Sequence, residues 1–105
     1  MANTMRSGYV AECFWPGVRN EDLYELGRRI EASVADAAGD GEPIRCLGLM
    51  LVIDDDVVLV LFTGPIETVH RVAERAEIPF GRILRTAHAL WPPYPSTEEE
   101  PQEWA

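Results

Sequence analysis

The chain has 105 residues, enough for one domain with its own core but few enough that the domain is marginal alone. Its formal net charge of −9 argues against nucleic acid as a partner, because phosphates attract basic surfaces. No apolar run approaches the roughly 20 residues of a membrane helix, and the leader MANTMRSGYV has no apolar core of the secretory kind, so a cytoplasmic protein without a membrane partner is expected.

All nine basic residues are arginines and lysine is absent, which reads as coding bias in a GC-rich genome rather than as function. Cys13 and Cys46 have no CxxC partner and carry no zinc or redox signature; both read as small buried hydrophobes.

In chain order, residues 1–7 read as a loose leader and Tyr9–Trp15 as the first strand, stopped by Pro16-Gly17. Asn20 is placed to cap the helix that follows, with Glu21 and Asp22 in its first turn where the helix dipole favours carboxylates. Leu23, Leu26, Ile30, Val34 and Ala37 form an apolar stripe at helical spacing. Gly27 lies beside that stripe, where a missing side chain predicts close approach of helix and sheet. The run Gly39-Asp40-Gly41-Glu42-Pro43 ends the helix.

Ile44–Phe62, IRCLGLMLVIDDDVVLVLF, is two short apolar runs about an Asp triplet, the pattern of a hairpin. Simple alternation sets Leu47, Leu49, Leu51 and Ile53 on one face and Cys46, Met50 and Val52 on the other, so both faces are apolar. Asp54–Asp56 lacks the spacing and glycine of a calcium loop and reads as a soluble turn. Pro65 opens a second helix whose buried face is Ile66, Val69, Val72, Ala73 and Ala76, and Pro79 ends it. A last strand is expected over Arg82–Leu90. The segment 91–105, WPPYPSTEEEPQEWA, has too little apolar content for a core and reads as an acidic, Pro-rich tail, disordered or docked on a partner.

The order strand, helix, strand, strand, helix, strand over residues 8–90 is the α+β ferredoxin-like βαββαβ pattern. It places the first strand between the third and fourth, the second at an edge, and both helices on one face. The other face is apolar as well, so two sheets should pack together as a homodimer, a dimeric α+β barrel. Cys13 and Cys46 would then be separated by the third strand, about 9–10 Å, too far for a disulfide within one subunit.

The segments YVAECFWPGVRNEDL and FTGPIETVHRVAERAEIPFGRI, with Ala76, Ile78, Pro79, Arg82 and Ile83 following an aromatic and a helix-opening Pro, resemble a small bacterial family of ferredoxin-like dimers, long catalogued as a domain of unknown function. The resemblance covers roughly residues 8 to 88. The best-described type of that family binds nickel, so the resemblance implies a divalent metal as cofactor or ligand. Many relatives carry a His four residues before the position of Ala76. Here that residue is Val72, and the helix's only His is His70, rotated about 200° from it.

The chain has two imidazoles, His70 and His88, and these are the candidate metal ligands. Glu12 interrupts an otherwise apolar face between Val10 and Phe14 on a strand expected to be central, so it must either pair with a cation or line a cavity. Arg45 and Arg85 are the strand cations available to it. A ligand-binding cluster of Glu12, Arg85 and His88, walled by Phe14 and Trp15, is the alternative to a plain inter-strand ion pair. Arg85 and His88 are three apart and face opposite sides of a regular strand, so such a cluster requires a bulge.

There is no Ser-His-Asp arrangement, no Gly-rich phosphate loop and no nicotinamide or flavin pattern. The expected function is therefore a small dimeric binding protein for a divalent metal or a small apolar molecule. The alternatives are a cofactor-free dimeric-barrel enzyme, such as a polyketide cyclase or small monooxygenase, and a regulatory module docked through its acidic tail.

Overall fold

A computed structural model describes the backbone of residues 6–88 and the side chains of residues 8–87. The element order is β1 (Arg6–Phe14), α1 (Asn20–Gly39), β2 (Arg45–Val52), a single 3₁₀ turn (Ile53–Asp55), β3 (Val57–Thr63), α2 (Ile66–Arg75) and β4 (Arg82–His88). The strands form one antiparallel sheet in the order β2-β3-β1-β4. The protein is thus α+β, and its topology is compatible with the ferredoxin-like pattern read from the sequence. The last strand is described as far as His88, and the expected continuation to Leu90 and the tail 91–105 lie outside the described residues.

Strand register decides which side chains meet the helices. Ala11 pairs with Val60 and Cys13 with Val58, and all four are fully buried, as is Phe62 opposite Tyr9. Leu26, Ile30 and Ala37 of α1 and Val69, Val72 and Ala73 of α2 belong to the same core, so both helices cover this one face. The two helical stripes are those that the 3.6-residue period selects.

Polar ties fix the helices against each other. The buried Ser33 hydroxyl on α1 donates to the Val72 carbonyl at 3.2 Å. The Arg29 guanidinium donates to the carbonyls of Ala76 (2.8 Å) and Glu77 (3.2 Å), which satisfies acceptors left open where α2 ends. Asn20 is not the cap of α1. The preceding Arg19 is extended, and its backbone N–H donates to the Asp22 carboxylate at 2.9 Å. The helix end is closed by an acid three residues in rather than by the amide expected.

Two details of β2 depart from simple alternation. The register shifts between Cys46 and Gly48, so Leu47 is an extra residue in the edge strand. Beyond this bulge the parity inverts, and Cys46 shares the helix-covered face with Leu49 and Leu51, while Gly48, Met50 and Val52 face the other way. The expected separation of Cys46 from Leu49 and Leu51 is therefore wrong. Both cysteines are free, and β3 lies between their strands as anticipated.

Candidate functional site

The face of the sheet turned away from the helices has no cover within the described chain. Cross-strand pairing places Val10 and Phe14 of β1, Val57, Leu59 and Leu61 of β3, Met50 and Val52 of β2 and Leu84 of β4 on it. Phe14 is 69% exposed and Met50 52%. An antiparallel sheet with one wet face ordinarily shows polar side chains there. This face is mostly apolar instead, with a polar row of Thr86, Thr63 and Arg45 at one end and one ion pair set into it.

That pair is Glu12 with Arg82. The two residues oppose each other in the β1–β4 register, and the Arg82 Nε–H donates to Glu12 Oε1 at 2.6 Å. The carboxylate hydrogen bond pushes the Arg82 guanidinium further up from its already high value. Glu12 is thus an inter-strand ion-pair member, partnered by an arginine that the sequence reading did not consider. The signal was available: cross-strand partners in an antiparallel sheet share a face, and Arg82 has the parity of Glu12 while Arg85 does not.

Of the expected cluster of Glu12, Arg85 and His88, the register sets Glu12 and Arg85 apart, and the His88 side chain lies outside the described residues. β4 pairs with β1 without a register shift, and Arg85 opposes Tyr9, which places it on the side of the sheet opposite Glu12. His88 lies at the end of β4 with its backbone opposite Arg6, two pairs of residues beyond Thr86 and Gly8. Of the proposed walls, Phe14 stands on the open face beside Glu12. Trp15 follows β1 as a partly buried residue packed against the core, its backbone N–H donating to the Asp56 carbonyl at 2.7 Å.

The metal candidates are also apart in kind. His70 is exposed on α2, and its ring meets Phe80 edge-on with centroids 6.1 Å apart. Among the described residues no group of three His, Cys, Asp or Glu side chains is placed to share an ion. Val72, at the position where the family resemblance implies a His, is 2% exposed and packed into the core between α2 and the sheet.

Neither thiol is poised as a nucleophile. Burial, and secondarily the Glu12 charge, pushes Cys13 up to about 11, and burial likewise raises Cys46. At neutral pH both remain protonated. Among the described residues no helix is long and apolar enough to cross a membrane.

No family model, no curated protein and no solved structure matches the chain.

Proposed function

We propose that the protein is a small homodimeric binding protein, its two open sheet faces packed together as a dimeric α+β barrel of the ferredoxin-like kind, and that its ligand is a small, mostly apolar molecule. The observation that carries this reading is the uncovered sheet face, with Phe14, Met50, Leu59, Leu61 and Leu84 side by side across four strands. Fully burying a side chain of this size is worth about 1.5–3 kcal/mol, so a symmetric interface that covers each of them twice has a large driving force. Two sheets packed face to face sit about 10 Å apart, the thickness of one interdigitated side-chain layer.

The resemblance to the small ferredoxin-like family supports the same assembly. Its nickel function is the less favoured branch here. Nickel selects imidazole or thiolate donors, and the position implied for the imidazole is a buried valine. Leu59→Glu places a carboxylate at the centre of the open face without touching the helix-side core. The expected result by light scattering is a monomer with unchanged far-UV circular dichroism. A variant that keeps the oligomeric state of the parent contradicts the interface.

A further inference from the structure

A groove of about 600 Å³ runs between α1 and the edge strand β2, on the helix side of the sheet and away from the open face. One glycine makes room for it: a Cβ built on Gly27 of α1 has no heavy atom within 4 Å. The extra residue of the edge strand, Leu47, is 48% exposed among the lining residues from β2, and Tyr24 stands 76% exposed among those from α1. The floor is apolar, with Leu23 and Ile30 from the helix and Leu49 from the strand. The volume and the lining fit a small molecule.

The charges around the groove are unequal. Arg28 forms an ion pair with Glu25 on its own helix, so its charge is already matched. Glu31 also lines the groove and has no ion-pair partner among the described residues. Its field reaches the Cys46 thiol on the opposite wall, where it adds to burial in raising that group. One unmatched carboxylate therefore lines an apolar groove, a favourable place for a cation. The net charge of −9 concentrates cations around the molecule as a whole.

We propose that this groove binds a small organic cation with an apolar body: the body lies on Leu23, Ile30 and Leu49 in the space left by Gly27, and an ammonium group meets Glu31. The proposal rests on the reading of the protein as a carrier of small, mostly apolar ligands, but not on the dimer interface, which lies on the other face of the sheet.

Three probes of one shape test it: 1-naphthylmethylamine, 1-naphthalenemethanol and 1-naphthoate, titrated into the isotopically labelled full chain and followed by amide chemical shifts. The amine is expected to shift Gly27, Gly48 and their neighbours, and to bind roughly fivefold tighter than the alcohol, the upper end of one exposed charge interaction. The carboxylate should be weakest. Glu31→Gln should bring amine and alcohol together, and Gly27→Leu, which fills the groove, should remove all three.

Equal affinity for amine and alcohol in the parent protein overturns the cationic class and leaves the apolar-ligand reading standing. No binding by any probe, or binding with shifts elsewhere, overturns the groove site, and the parent shift map decides this even if Gly27→Leu fails to fold. Groove shifts that grow with protein concentration alone assign the groove to a second copy and also overturn the proposal. Light scattering on the same samples separates the two readings, since a monomer that binds the amine removes only the sheet-face dimer.

Discussion

Glu12 and Arg82 are a half-exposed pair whose energetic weight depends on what covers the open sheet face. If that face stays wet, losing the partner costs about 0.2–1 kcal/mol. If a second sheet covers it, Arg82→Ala leaves a carboxylate desolvated without its cation, which costs about 3–5 kcal/mol. The expected result in urea unfolding is the larger loss, with a concentration-dependent midpoint. A loss under about 1 kcal/mol contradicts burial of the pair between two sheets. Val72→His, which restores the imidazole implied by the family resemblance, inserts a polar ring into a position that is 2% exposed. It should destabilise the fold by roughly 2 kcal/mol or more and create no nickel affinity, because the ring is left buried without partners. Calorimetric titration with nickel beside a thermal melt checks both halves. Glu42 supplies a pH prediction. The Arg71 guanidinium, and secondarily the Thr68 hydroxyl, hold its carboxyl below the ordinary value of 4.5. A folded-state value below the unfolded one contributes stability that is full above 4.5 and is lost as pH falls through the lower folded value. Glu42→Gln should therefore flatten the acid limb of a stability profile as pH falls below the ordinary carboxylate value of 4.5. An acid limb identical to that of the parent contradicts the linkage.

At the scale of elements, two glycines make opposite predictions. Gly27 lies mid-helix with open space where a Cβ goes, so Gly27→Ala should raise stability by about 0.5–1 kcal/mol. Gly64 has φ +143° between β3 and α2, and a Cβ there meets the Pro43 carbonyl oxygen at 2.7 Å, so Gly64→Ala should destabilise by more than about 1 kcal/mol. Paired chemical denaturation curves measure both. The Gly27 result also marks where the sequence misleads. A glycine beside an apolar stripe reads as a close-approach site, yet here a Cβ at Gly27 meets nothing within 4 Å and the residue lines a groove. Bulges leave no residue signature beyond Gly48, which alternation alone does not interpret. The helical stripes, the strand order and the separation of the two cysteines were legible because each follows from periodicity and connectivity. The partner of Glu12 was legible in principle from strand parity, but only once the β1–β4 register was known, and a single residue of register exchanges Arg82 for a residue on the other face.

The whole molecule divides its apolar surface between two sheet faces. Two helices cover one, and within the described residues nothing covers the other. A chain of this size has limited core to spare, so leaving Phe14, Met50, Leu59, Leu61 and Leu84 in water is the costly alternative to association. The proposed sheet-to-sheet packing of two copies would remove that cost and keep the groove between α1 and β2 on the outside of the assembly, where each copy would have its own. The mass of the unmodified chain in sedimentation equilibrium, over a micromolar concentration series, tests this directly. The expected mass is twice the 11.8 kDa of the single chain. A mass of 11.8 kDa throughout the series contradicts it.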